Sequence, residues 1–397
     1  MVLLVRLSAM LALVLLLNGC DRPDVPPLDQ QLYVWQRQWT PAHEAALKDS
    51  RADFSSLRVL ALQAFPQAGW SRARIDTALL KRDARPLIAV IRLDGQLKSL
   101  DQDEVSAQIQ RLLSEWQALG LNLAGVEIDH DAGNARLPAY RKFLTDLRAV
   151  LPASLPLSIT ALPAWLDSPE LPALLSTADS SVLQVHAVSD PRRGLFDPDQ
   201  ARKWVTAWAR ITSKPFYLAL PAYGVALLPA NGVLEVESEV PINRGGERRE
   251  LLADPQQLST LALELRNAPP PHLAGLIWFR LPLPDDRRAW SLATLRAVVR
   301  GDALDSHLTL KLSAHDGLYD ISVSNQGNLD SAWPERLTLA VQGCDGADAL
   351  AGYALQQRPD LLTFTRLRDG RIPAGGQRAI GWARCAHVDQ GDSHVYP

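Results

Sequence analysis

The 397-residue chain lacks a charge excess of either sign: 41 lysines and arginines stand against 44 aspartates and glutamates, a formal net charge of -3. Without a basic field or an aromatic-laced basic stripe there is nothing to track a phosphate backbone, which excludes nucleic acid as a partner. Cysteine is scarce, three residues in all, so the chain is no small disulfide-stapled scaffold. It has no His-x-His or His-Glu-x-x-His pattern, and the expectation is no metal and no cofactor. A Gly-x-Ser-x-Gly elbow for acyl transfer is also missing. No glycine-rich phosphate turn follows the first apolar run, where "WQRQWTPAHEAAL" stands instead, and this argues against an open, doubly wound nucleotide-binding sheet.

The opening segment, "MVLLVRLSAMLALVLLLNGC", has one cation, Arg6, an apolar core short for a membrane span, and an end at Cys20. It resembles a bacterial lipoprotein signal, cleaved before a cysteine that is then lipidated. The resemblance implies a signal peptide over residues 1–19 and a Pro-rich tether over 20–30. The mature protein is then expected in the cell envelope, held to a membrane through lipidated Cys20 and facing the periplasm. Asp21 resembles an inner-membrane retention signal, a rule that varies between bacteria, so inner and outer membrane both stay open. Cys344 and Cys385 are then an even pair in an oxidising compartment and read as a disulfide, two unrelated thiols being the other reading.

Eight apolar runs follow the tether: Gln31 to Gln36, Leu57 to Phe65, Pro86 to Gly95, Leu123 to Asp129, Leu155 to Pro163, Ser181 to Val188, Lys214 to Gly224 and Leu273 to Leu281. Between them lie segments of helical period; in "DEVSAQIQRLLSEWQALG", Val105, Ile109, Leu112 and Trp116 line one face and Gly120 offers a stop. Alternation at this spacing predicts an α/β fold, a closed (β/α)8 TIM barrel over residues 31–300. The segment after the seventh run is expected to form a hairpin insertion or loop over the active-site end. From His307 short alternating runs with Asp-Gly turns take over, predicting a small antiparallel β-sandwich over 305–397, either a glycan binder or a support packed on the barrel.

The fourth run, "LAGVEIDHDAG", places Glu127, Asp129 and Asp131 at alternate positions. Side chains alternate along a strand, so all three face one way while Val126 and Ile128 face the helices. Inside a barrel such a column is costly unless it is hydrogen bonded, shares protons or meets substrate. His130 points oppositely to its two acidic neighbours, which argues against a shared metal ion.

With "LPAYRKFLTDLRAVLP" after it, this run resembles a relaxed signature of the family 18 glycoside hydrolases, the chitinase-like barrels, whose fourth strand reads Asp-Gly-x-Asp-x-Asp-x-Glu. Gly125 matches the glycine, Glu127 and Asp129 the second and third acids, and Asp131 the terminal glutamate that acts as general acid; Ala124 replaces the first acid. Asp for Glu shortens the reach by about 1.5 Å, a distance that matters for proton transfer. "LALPAYG" resembles the family's seventh strand, and "LQVHAV" stands at its Met-x-Tyr-Asp, with His186 and Ala187 at the last two positions. "AGLIWF" resembles its eighth strand, with Trp278, or Phe279 one step on, at the substrate-stacking Trp. The whole chain also looks like an uncharacterised family of bacterial lipoproteins opening on "YVWQRQW".

The resemblance implies Asp131 as acid, with Asp129 tuning and orienting it and Glu127 deeper, sharing a proton or hydrogen bond with Asp129. Asp94 or Asp190 would supply a second carboxylate if the substrate does not assist. Trp35, Trp165, Tyr223 and Trp278 are candidate sugar platforms, with Gln36, Arg92, Gln184, His186 and Arg280 as polar partners. The expected function is hydrolysis of an envelope or extracellular polysaccharide containing amino sugars. The alternative is a silent barrel that binds glycan or peptidoglycan among envelope protein partners.

Overall fold

The computed structural model describes residues 27–185, 194–230, 233–237, 249–284, 286–350 and 352–396. The signal segment, Cys20, His186 and Asp190 lie outside them.

Eight parallel strands form the centre: β1 (Asp29–Val34), β2 (Ser56–Phe65), β3 (Leu87–Leu93), β4 (Leu123–His130), β5 (Leu157–Ala161), β6 (Ser180–Gln184), β7 (Phe216–Pro221) and β8 (Leu273–Phe279). Each pairs with its neighbour in sequence, and β1 pairs with both β2 and β8, so the sheet closes on itself as the spacing predicts. The helices are α1 (Ala42–Ser50), α2 (Thr77–Asp83), α3 (Gln102–Ala118), α4 (Leu137–Val150), α5 (Leu171–Leu175), α6 (Pro198–Ile211), α7 (Pro255–Asn267) and α8 (Leu292–Arg300). In α3 the expected face, Val105, Ile109, Leu112 and Trp116, is buried. Its first turn is capped by the Asp101 side chain, which accepts from the Glu104 N–H at 3.0 Å. Gly120, at φ +70°, supplies the left-handed residue just past its end.

Strand parity separates two apolar layers. Val126, Ile128, Leu157 and Ile159 belong to the shell between strands and helices, whereas Tyr33, Trp35, Leu60, Val90, Val182, Ala219 and Ile277 fill the barrel's interior. Polar side chains collect at the two ends of that inner column. After β7 the chain makes a three-stranded antiparallel excursion, Gly224–Ala230, Val233–Glu237 and Arg249–Leu252, where the hairpin insertion was expected.

The carboxyl-terminal module is antiparallel, a six-stranded sheet and a two-stranded ribbon. It has its own core of Ile321, Val323, Leu337, Leu339, Phe364 and Ile380. A disulfide joins Cys344 and Cys385 across its two long strands, Arg336–Ala349 and Gln377–Tyr396. The module is fastened to the barrel at α8. Asp330 accepts from the Ser291 N–H at 2.9 Å and the Thr294 hydroxyl at 3.1 Å, and Arg371 donates to the Ala289 carbonyl.

Candidate active site

β4 carries its acids inward at three depths. Glu127 is fully buried beneath the cavity floor. It accepts from Arg58 on β2, from the Tyr33 hydroxyl at 2.7 Å and from the Ser158 hydroxyl at 3.0 Å. Burial pushes its carboxyl above the usual range, against the opposing pull of Arg58. Glu127 thus sits deep, as expected, but its bonds run to Arg58, Tyr33 and Ser158 rather than to Asp129.

One layer higher, the β3–β4 register sets Arg92 directly beside Asp129. Asp129 is buried and accepts from Arg92 Nη1 at 2.6 Å on Oδ2, and on Oδ1 from the Thr160 hydroxyl at 2.7 Å and Gln184 Nε2 at 3.2 Å. Three donors, one of them a guanidinium, thus fix this carboxyl in place.

Asp131 lies just past the end of β4, where the chain turns; the Ala132 N–H donates to the His130 carbonyl at 2.8 Å. Two residues shape this turn. Trp165 donates from its indole to the Ala132 carbonyl at 2.7 Å, and Gly95 lies so close that a Cβ there would stand 2.4 Å from the Asp131 carbonyl oxygen. Asp131 Oδ2 is 3.4 Å from Arg92 Nη2, while Oδ1 is buried without a hydrogen-bond partner. Burial, and then the neighbouring Asp129 charge, lift this carboxyl to about 6; Arg92 opposes the rise and Asp94 adds to it. The layer therefore holds one carboxyl bound by three donors and one, at about 6, poised to trade a proton.

The cavity above these groups, about 170 Å³, is walled by Tyr33, Trp35, Tyr223 and Phe279 and floored by Thr160 and Ala219. Phe279 packs edge-on against Trp35 at 5.1 Å, Tyr223 at 5.2 Å and Tyr33 at 5.6 Å. The Arg92 guanidinium lies 5.8 Å from the centre of the Trp35 ring. A larger cavity, about 330 Å³, opens at the opposite end of the barrel below Arg58. Its single acid, Asp29, already accepts from Gln31 and Ser55, so the proton-trading chemistry belongs to the smaller one.

Of the expected site residues, the structure gathers Asp129, Asp131, Trp35, Arg92, Gln184 and Tyr223 around this cavity. Trp165 and Trp278 require correction. Both are fully buried: Trp165 braces the Asp131 turn from behind, and Trp278 faces the helices, packing on Trp290 and donating to Gln30 Oε1 at 2.9 Å. The parity of β8 sends Phe279 into the cavity instead. Gln36 and Arg280 are corrected as well: they turn from the cavity into a 2.8 Å bond to the Leu281 carbonyl and a 2.7 Å ion pair with Asp286. His130 points outward, with Nδ1 2.8 Å from the Leu93 carbonyl and its ring against Tyr140. Sequence reasoning missed Tyr33, Thr160, Ala219 and Gly95. Tyr33 shares parity with Trp35, and Thr160 lies beside Asp129 once β4 and β5 are aligned, so the strand pattern held those two signals.

Solved structures resemble this fold at low identity. A spore cortex-lytic enzyme, SleL of Bacillus megaterium QM B1551, superposes with a TM-score of 0.51 at 14% identity, covering 70% of this chain and 75% of that one. A chitinase from Bacteroides thetaiotaomicron gives 0.50 at 10% identity, covering 69% and 97%. At such identities the likeness shows the fold alone. Comparison with curated protein sequences returned no match. Residues 308–386 match a domain of unknown function (DUF8456), which coincides with the carboxyl-terminal module. Residues 83–284, from the end of α2 past β8 and including both Asp129 and Asp131, match a domain of unknown function (DUF3142). With just over half of its length in that match, the chain belongs to the DUF3142 family.

Proposed function

We propose that the protein is an exported, lipid-anchored glycoside hydrolase acting on an envelope or extracellular polysaccharide that contains amino sugars. The observation that carries this reading is the unequal carboxylate pair at the carboxyl ends of the strands, where barrel active sites lie. Burial and the neighbouring Asp129 lift the Asp131 carboxyl to about 6, while the Asp129 carboxyl is held by Arg92, Thr160 and Gln184. In the reaction Asp131 passes its proton to the glycosidic oxygen as the bond to the anomeric carbon breaks. Positive charge building on the ring faces the Asp129 carboxylate. The Asp131 carboxylate then takes a proton from the water that adds to the anomeric carbon, and the acid is restored. The aromatic walls supply apolar faces for a sugar ring, and Gln184 beside them supplies a polar contact. The Cys344–Cys385 disulfide agrees with an oxidising compartment, and lipidated Cys20 would hold the barrel at a membrane surface on the periplasmic side.

A second reading, glycan binding without turnover, is favoured by one observation: both Asp129 oxygens are already engaged. The test is release of reducing ends from peptidoglycan and chitin oligosaccharides by the chain beginning after Cys20, beside Asp131→Asn. Hydrolysis predicts release by the parent, a loss of at least about 100-fold in the variant, and unchanged binding. Binding by both with release by neither would overturn hydrolysis in favour of glycan holding.

A further inference from the structure

Among the described residues, Arg92 touches both site acids. The β3–β4 register fixes it beside Asp129, and its two terminal nitrogens divide between the carboxylates, Nη1 at 2.6 Å from Asp129 and Nη2 at 3.4 Å from Asp131. The two distances describe different bonds. The shorter is a formed ion pair; the longer is a contact not yet closed, to a carboxyl whose other oxygen lies buried and unbonded. A planar fork can serve two carboxylates at once, which a lysine's point charge cannot do with the same geometry. The stem is also braced, since the guanidinium lies over the Trp35 ring.

We propose that Arg92 is a positioning residue of the reaction: one arm holds the Asp129 carboxylate, and the other receives the Asp131 carboxylate at the moment Asp131 gives up its proton. The proton goes to the leaving oxygen, no other atom is transferred, and the new negative charge on Asp131 is met by a cation already in place. When water returns a proton to Asp131, the second arm relaxes. Arg92 thereby makes two neighbouring acids unequal without itself gaining or losing a proton. Among the described residues the charged and titratable groups facing Asp131 are Asp129 from β4, Arg92 and Asp94 from β3 and its end, and Tyr140 from α4.

The kinetic part rests on the hydrolase reading; the electrostatic part does not, and the experiment separates them. Carboxyl and guanidinium resonances are followed by NMR through a pH titration of the full-length chain in detergent, with Asp131→Asn to assign the Asp131 signal. In the parent, the Arg92 Nη signal is expected to shift with the same midpoint as Asp131. In Arg92→Gln the Asp131 midpoint rises by about one unit or more, and in Arg92→Lys by less. An Arg92 signal indifferent to the Asp131 titration, or an Asp131 midpoint unmoved in a folded Arg92→Lys chain, overturns the proposal. The parent measurement alone decides the matter if a variant does not fold. Where turnover is found, both variants lose kcat by about 10- to 100-fold with KM within about threefold, and the upper limb of the pH profile moves with the NMR midpoint. If no turnover is found while the linked titration holds, the hydrolase reading fails and the assignment of Arg92 stands.

Discussion

Asp131 is a carboxyl whose position differs from its neighbours' in a way that folding stability should report. In the native chain it titrates at about 6 rather than at the ordinary 3.8, because burial and the Asp129 charge disfavour its anion. Between those values the folded state binds more protons than the unfolded one, so this group's contribution to stability is present at low pH and is lost as pH rises toward 6. Urea unfolding at intervals from pH 4 to 7 should show a downward slope that Asp131→Asn reduces; identical slopes in the two chains would contradict the assignment. A second residue-scale expectation concerns Gly95, where a methyl would stand 2.4 Å from the Asp131 carbonyl oxygen. Gly95→Ala must push the turn aside, and displacing a reacting group by about 1 Å costs up to roughly 100-fold in rate. Reducing-end release by Gly95→Ala, assayed below the variant's own melting temperature, measures it. The column of acids was legible in "VEIDHD" because parity alone aligns its members. The contacts of Glu127 were not legible, since Arg58 and Tyr33 come from strands some 70 and 94 positions away in the chain.

At the scale of elements, eight strands and their helices were readable from apolar runs and helical period, because each unit buries one face locally before the barrel closes. Parity at the ends was harder to read. "LAGLIWFRL" is apolar on both faces, and only the closed barrel reveals that Gly275, Ile277 and Phe279 share the inner side: a Cβ on Gly275 would strike the Asp29 carbonyl of β1 at 2.4 Å. Trp165 misled for a related reason, since a short helical turn after β5 tucks it behind the Asp131 loop instead of over the cavity. The two aromatic neighbours on β8 should therefore separate cleanly on mutation. Trp278→Ala removes a fully buried indole and its bond to Gln30, and should cost about 3 to 5 kcal/mol of stability. Phe279→Ala opens a cavity wall and should weaken binding of chitin oligosaccharides while costing much less stability. Denaturant unfolding beside ligand titration distinguishes them, and the reverse pattern would place Trp278 in the cavity.

Across the whole molecule, the carboxyl-terminal module reaches the mouth of the barrel through a short chain of contacts. Arg371 donates to the Ala289 carbonyl, Ala289 is bridged to Tyr223, and Tyr223 forms part of the cavity wall. Asp330 joins the same junction by accepting from Ser291 and Thr294 at the start of α8 and from the Ala374 N–H at 2.9 Å. A module that held only its own fold would leave the site indifferent to its unfolding; this wiring predicts coupling. The Cys344–Cys385 disulfide, separated by 41 residues, restrains the unfolded module and should contribute about 3 to 4 kcal/mol to it by chain entropy. Reduction should therefore lower the module's melting temperature ahead of the barrel's and split one calorimetric transition into two. In the interval between them, with the barrel folded and the module open, Tyr223 loses the support of Ala289, and chitin-oligosaccharide affinity should fall by about tenfold relative to the oxidised chain at the same temperature. Arg371→Ala tests the same link without a reductant. It should weaken binding at temperatures where the module is still folded, although it also removes the Arg371–Asp330 ion pair, and full affinity in both experiments would mean that the module stands beside the site without shaping it.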